Sequence, residues 1–257
     1  MRWAGRALAA ALVLCLAPPA AGYLLPVQGV LKRMAQRREE LALRSLEARG
    51  TFALRGEAAR AAAAATGLAL TGPELVAPAL VTIKIPGRCR LELTPAELAE
   101  SERPAVVWKQ GRIAGARGLD RVPAAAVLAE TLCVLLGQRA GGAEPDRPYA
   151  EALARLGVAL GEVHLGRSEG RIAYVLGARP SERKPQAWVD KATFQPARLI
   201  YARGGRPLAE VRLLDFGSPM GGDWFPRAAE VHGAGGLEAR FSTEKVVANP
   251  KVADSLF

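Results

Sequence analysis

From about residue 158 onward the chain alternates. Leu237, Ala239, Phe241 and Thr243 fall on one side of a period of two, and Glu238, Arg240, Ser242 and Glu244 on the other. That spacing predicts a strand with one apolar and one wet face. The same half contains "GVALGEVHL", "GRIAYVLGA", "KPQAWVD", "ARLIYARG", "AEVRLLDF", "RAAEVHG" and "LEARFSTEKVV", separated by turns rich in Gly, Pro and charge, the pattern of an antiparallel meander. Within it, "PQAWVDKATFQPARLIY" reads as a hairpin: Trp188, a corner at Asp190-Lys191, then Leu199 and Tyr201 on the face opposite Arg198 and Ile200.

The first half mixes periods. In "PVQGVLKRMAQRREELALRSL", Val27, Val30, Leu31, Met34 and Leu41 recur at helical spacing, predicting an amphipathic helix over about 24–48. "EARGTFALRG" then turns to strand spacing. The Ala-rich "EAARAAAAAT" is helix-prone but has no large side chains to anchor it, so it reads as a loose helix or poorly packed insertion. "ALVTIKIPGRCRLELTP" predicts two strands about Pro86-Gly87, and "AVVWKQGRIAGARG" a hairpin around Gly111. "VPAAAVLAETLCVLLG" is a strongly apolar helix over about 122–137, ended by Gly137, and "YAEALARLGV" a short one starting near Pro148. A curved sheet with one apolar face must be covered, and the two apolar helices can cover it. The expected class is therefore α+β: an incomplete antiparallel β-barrel whose concave apolar face is plugged by helices, one domain over residues 23–257.

Residues 1–22, "MRWAGRALAAALVLCLAPPAAG", place Arg2 and Arg6 before an apolar run, then Pro18-Pro19 and small residues, the layout of a secretory signal peptide. Cleavage after Gly22 would leave Tyr23 first; the alternative is an uncleaved anchor, although the run is short for a bilayer. Lipid attachment at Cys15 is disfavoured by the bulky Leu14 before it. Removing residues 1–22 takes away Arg2 and Arg6 and no acid, so the net charge falls from +10 to +8. A basic surface suits anionic partners, but no dense Lys/Arg run with interleaved aromatics supports nucleic acid. After processing only Cys89 and Cys133 remain, and an exported pair invites a disulfide. Closing that loop of about 45 residues would stabilise by roughly 4 kcal/mol. Two separately buried thiols are the other possibility.

Catalytic motifs are sparse. "GRSEG", Gly166 to Gly170, matches a nucleophile elbow, and Asp190 or Asp215 followed by His232 gives a hydrolase chain order. An elbow needs a helix directly after the Ser, whereas the residues behind Ser168 alternate like a strand, so a hairpin turn is expected. His164 and His232, the only histidines, stand in strand patterns with no ligand-spaced neighbours. Neither phosphate loop nor dinucleotide fingerprint is present. Glu130 interrupts the apolar helix; it points to solvent or pairs with Arg121 or Arg139, or else it meets a ligand headgroup. Asp223-Trp224-Phe225-Pro226 is either a rim that grips a ligand or the anchor of the next strand.

The hairpin "AWVDKATFQPARLIYA", the following strand, "GDWFPRAAEV" and the final "VVANPKVADSLF", with the signal layout, the first helix and "IKIPGRCRLEL", resemble the LolA-like superfamily of periplasmic outer-membrane lipoprotein-sorting proteins. The resemblance implies a half-barrel that binds acyl chains on its concave side, without catalysis, cofactor or metal. It implies a monomer in the periplasm, an acylated lipoprotein or lipid as ligand, and an inner-membrane donor and outer-membrane acceptor as partners. The apolar faces then assign the cavity to Leu128, Leu132, Leu136, Trp188, Leu199, Tyr201, Val211, Leu213 and Phe241, and the lid to Val27, Val30, Leu31 and Met34. One feature departs from the family. Lipoprotein carriers place an Arg directly before the proline of the early hairpin to hold the lid; here Ile85 precedes Pro86, with Lys84 and Arg88 nearby. The alternative function is a structural or regulatory envelope module whose barrel is filled by its own side chains.

Overall fold

The alternating segments become strands and the 3.6-period segments become helices. The computed structural model describes residues 24–139 and 142–257, so the signal layout at 1–22 lies outside the described residues. The chain runs α1 (Val27–Glu40), β1 (Ser45–Arg55), α2 (Gly56–Thr66), β2 (Glu74–Lys84), β3 (Arg88–Leu93), β4 (Ala105–Lys109) and β5 (Arg112–Ala116). Then come α3 (Pro123–Leu136), α4 (Arg147–Arg155), β6 (Val163–Ser168), β7 (Arg171–Leu176) and β8 (Gln186–Asp190). Last are β9 (Pro196–Ala202), β10 (Leu208–Leu214), β11 (Ala228–Gly233) and β12 (Gly236–Ala248).

Among the described residues the strands form one antiparallel sheet of twelve, in the order β5-β4-β3-β2-β1-β12-β11-β10-β9-β8-β7-β6. Sequence neighbours pair everywhere except at the centre, where β1 meets β12 with Phe52 opposite Phe241. The ends β5 and β6 do not pair, so the barrel is incomplete. Register shifts at Arg49/Gly50, Trp188/Val189 and Val231/His232 mark bulges, which bend strands and sharpen their twist. They supply the curvature that gives the sheet a concave side.

Helices fill that side. α3 lies across β3, β4, β10, β11 and β12, and every residue from Ala124 to Leu136 is buried. Its apolar residues run all round the helix because the sheet covers one side and α4 packs on another. Two expectations change here. The first helix ends at Glu40, since Ser45–Arg55 pairs along its length with both β2 and β12, and that ladder overrides the helical spacing read into it. The Ala-rich segment is packed, not loose: Ala58, Ala59 and Ala62 of α2 are buried against β1, β2 and β12. Small side chains let the helix lie close to the sheet, which replaces the large anchors the sequence lacks.

The outer face carries a cross-strand row in which Trp188, Arg198, Arg212, Glu230 and Arg240 are successive neighbours. Trp188 therefore does not join the concave cavity. It packs with Ala173 and Val175, and the Arg198 guanidinium lies 4.8 Å from its ring centroid. The cause is register: Ala187 pairs with Leu199, so Trp188 shares the face of Arg198. Gly166 makes room for the indole, because a Cβ there would come within 2.5 Å of the ring.

Candidate functional site

The concave face gathers the other expected cavity residues. Leu128, Leu132 and Leu136 of α3, Leu199 and Tyr201 of β9, Val211 and Leu213 of β10 and Phe241 of β12 are all buried in one core. Val27, Val30, Leu31 and Met34 of α1 belong to the same core. Helices and sheet thus already fill one another's apolar faces in this state.

Open space lies at one end of α3. A cleft of about 290 Å³ is lined by Ala58 and Ala61 of α2, Ala124 and Val127 of α3, and Leu208, Ala209 and Val231 of the sheet. Arg203, Arg206, Glu57 and Glu238 complete its lining. The two arginines flank Gly204 and Gly205 in the β9–β10 turn, where both glycines hold positive φ, +59° and +73°. Behind the cleft sits Glu130. Arg203 Nε is 3.3 Å from its Oε2, and the Tyr201 hydroxyl lies 3.0 Å from the same oxygen. Burial, followed by the Glu130 charge, pushes the Tyr201 hydroxyl well above its ordinary pKa. Glu130 is therefore paired, but with Arg203 and Tyr201 instead of Arg121 or Arg139. Tyr201 Oη also lies 3.2 Å from the Val127 carbonyl, fixing the ring against α3.

The other end of α3 is tied to α1, beside a second cleft of about 470 Å³ lined by Arg38, Lys84, Ile85 and Gln138. Arg38 of α1 is buried; its Nη2 donates to the Leu136 carbonyl at 3.1 Å and its Nη1 to the Trp224 carbonyl at 3.0 Å. A cation at a helix C-terminus satisfies carbonyls that lack intrahelical partners and opposes the negative end of the dipole. Burial pulls the guanidinium below its ordinary pKa, while neighbouring Tyr149 works against that fall. Arg37 pairs with Asp223, so two adjacent arginines clamp α1 to the 223–226 segment. The early hairpin makes ties of its own. Lys84 and Arg88 both turn to Asp254, and the Gly87 N–H donates to the Gly137 carbonyl at 2.7 Å. Cys89 and Cys133 are joined as a disulfide with Cα atoms 5.6 Å apart, tying α3 to β3. In the 223–226 segment Phe225 is buried edge-on to Phe241, whereas Trp224 is exposed. The segment both anchors a strand and presents an aromatic.

Of the hydrolase candidates, Ser168, Asp190 and Asp215 line one small cleft, but His232 is not among its lining residues. Ser168 ends β6, and Glu169 and Gly170, with φ +49° and +78°, form the tight turn into β7. That is a hairpin, not a strand-to-helix elbow. His232 faces Glu230 at 3.0 Å and His164 faces Glu162 at 3.1 Å. Among the described residues no group of three or more His, Cys, Asp or Glu is placed to hold a metal ion.

Arg38 and Arg203 escape sequence reading because their partners are carbonyls or residues remote in sequence, and Arg206 because only the fold brings it to the cleft. A carboxylate inside an apolar helix was the available signal: Glu130 demanded a buried partner without naming it.

No family model matches the chain, and no curated protein matches it. Among solved structures it is similar to a LolA superfamily protein from Nitrosomonas europaea, at 16% identity over 91% of this chain and 98% of that one, with a TM-score of 0.46. It is similar to a DUF1329 family protein from Desulfovibrio piger, at 11% identity over 91% and 98%, with a TM-score of 0.45. A domain named for outer membrane lipoprotein sorting, from Vibrio parahaemolyticus, matches at 11% identity over 87% and 94%, with a TM-score of 0.38.

Proposed function

We propose that the chain is a non-enzymatic binder or carrier of an acylated amphiphile, a lipid or the acyl chains of a lipoprotein, exported to the periplasm as a single domain. The observation that carries this is the cleft beside α3, whose apolar lining, Ala58, Ala124, Val127 and Val231, belongs to the core formed by the curved sheet and its four helices. An acyl chain entering there would gain about 0.8 kcal/mol per methylene buried. α1 supplies the competing apolar surface, so the lid and the ligand would exchange places over Leu128, Leu132, Leu199, Val211 and Phe241. Release to an acceptor then needs no covalent step, only the return of α1. The signal layout and the disulfide support an oxidising compartment.

Titration with a fluorescent fatty-acyl probe tests this, together with a native mass spectrum of protein purified gently from a periplasm. Saturable probe binding and a co-purified lipid mass are expected; absence of both would remove the carrier assignment.

One observation favours a second reading. The expected cavity residues other than Trp188 are at most 4% exposed, so in this state the barrel is filled by its own side chains. A filled barrel suits an envelope module acting through protein contacts. Probe-free, lipid-free protein that captures an envelope partner would establish it.

A further inference from the structure

The charges around the cleft are unusual in being mixed and unspent. Arg203, Arg206, Glu57 and Glu238 line it, and Glu130 stands behind Arg203. Counted formally, that is two cations against three carboxylates, so a purely anionic headgroup would enter a site of net charge −1. Among the described residues Arg206, Glu57 and Glu238 have no ion-pair partner, although they share one cleft wall. Arg203 spends only Nε on Glu130, leaving its two Nη groups without a partner on a side chain that lines the cleft.

A wholly apolar occupant would strip water from these groups and return nothing, and a dianion would meet unpaired acids. A headgroup of both signs avoids each penalty. Resting on the amphiphile assignment above, we propose that the cleft is a headgroup site for a zwitterionic single-chain amphiphile, of the phosphoethanolamine or phosphocholine ester class. The phosphate faces Arg206 and the free nitrogens of Arg203, where a planar guanidinium offers paired N–H donors. The ammonium faces Glu57 and Glu238. The volume, about 290 Å³, is at the lower bound of ligand clefts of roughly 300–1,000 Å³, which leaves room for a headgroup and the start of one acyl chain, not two. Glu130 keeps Arg203 extended toward the cleft when no ligand is present, so the guanidinium is already placed.

The test is displacement of a neutral fluorescent acyl probe by three lipids of identical chain: lysophosphatidylethanolamine, lysophosphatidic acid and monoacylglycerol. The zwitterion is expected to bind about tenfold tighter than either of the others, the value of one well-made charge-assisted hydrogen bond. Glu238→Gln should erase its advantage over lysophosphatidic acid, and Arg206→Gln its advantage over monoacylglycerol. Both side chains lie at the cleft's solvent edge, and unchanged melts of both variants would verify their fold. Phosphoethanolamine without a chain should not displace the probe; if it does at similar concentration, the site takes a soluble ligand and the amphiphile assignment of the headgroup is wrong. Equal affinity of the three lipids for the wild type overturns the headgroup site while leaving acyl binding intact. If neither probe nor any lipid binds, the amphiphile reading fails and the headgroup site fails with it.

Discussion

Replacing Arg38 by Leu should release α1 at its C-terminal end. In the intact protein the buried guanidinium makes two charge-assisted hydrogen bonds to carbonyls, at Leu136 and Trp224. Such bonds contribute about 1.5–3 kcal/mol each, and burial of the cation offsets part of that. Burial is a real cost here, since it lowers the guanidinium pKa. Leu removes the desolvation cost and keeps apolar contact, but it leaves the Leu136 carbonyl buried without this donor, at about 1–3 kcal/mol. The net expectation is a loss of about 2–4 kcal/mol, and a domain of this size loses about 2–4 °C of Tm per kcal/mol. A fall of roughly 5–15 °C follows. Arg38→Lys keeps the charge but loses the planar fork, so it should fall between. Hydrogen exchange adds the discriminating readout: amides of Val27–Glu40 should lose protection while those of Pro123–Leu136, tied by the disulfide, keep it. A variant that melts with the wild type and shows unchanged exchange in α1 would refute the latch.

Other positions give sharper single tests. Converting both Cys89 and Cys133 to Ser opens a loop with a sequence separation of 44, and should cost about 4 kcal/mol by chain entropy, read from denaturant midpoints. Gly166→Val forces a side chain into the Trp188 ring on the outer face, so a loss of about 1–3 kcal/mol is expected with acyl-probe affinity unchanged. Leu213→Trp tests whether β10 faces a filled interior: at 4% exposure the larger ring should overpack, again by about 1–3 kcal/mol, and an unchanged melt would mean that space is present.

How much of this was legible depended on the range of the interaction that decides each feature. The meander from β6 to β12 follows from alternation and turn residues, both local, and its strands lie where the pattern places them. The plug helix is legible because nothing but a covered environment explains so apolar a run. Trp188 is the instructive case. Its face is set by the pairing of β8 with β9: Ala187 lies opposite Leu199, so Trp188 falls on the side of Arg198, and a one-residue difference in register would reverse that without altering composition. The packing of α2 was likewise hidden. Alanines carry almost no hydrophobic signal individually, and their fit depends on how closely the sheet approaches. The latch was hidden for a third reason: a guanidinium bonded to carbonyls leaves no partner residue type to search for, and Arg38 is one of several basic residues on its helix.

If the chain admits an acyl ligand, α1 and α3 cannot yield equally. α3 is tied to β3 through Cys133, to β9 through Glu130 and Tyr201, and to the β2–β3 turn through Gly137. α1 is held by Arg37, Arg38, the Arg33 guanidinium 5.8 Å from the Phe194 ring centroid and its apolar stripe, with no covalent tie, so α1 is the element expected to move. Lifting it exposes Val27, Val30, Leu31 and Met34. At roughly 1.5–3 kcal/mol for each buried side chain, the gross cost is about 6–12 kcal/mol. An acyl chain offsets this at about 0.8 kcal/mol per methylene, so about 8–15 methylenes are needed before displacement balances. Binding should therefore show a chain-length threshold. Saturating fatty acids of about 8 carbons or fewer should leave α1 amides protected, and chains of about 14–16 should expose them, with α3 protected in both cases. Hydrogen exchange on peptides spanning Val27–Glu40 measures it directly. Long chains that bind without changing α1 protection would mean that the ligand occupies only the outer cleft, and α1 would then be a fixed part of the core.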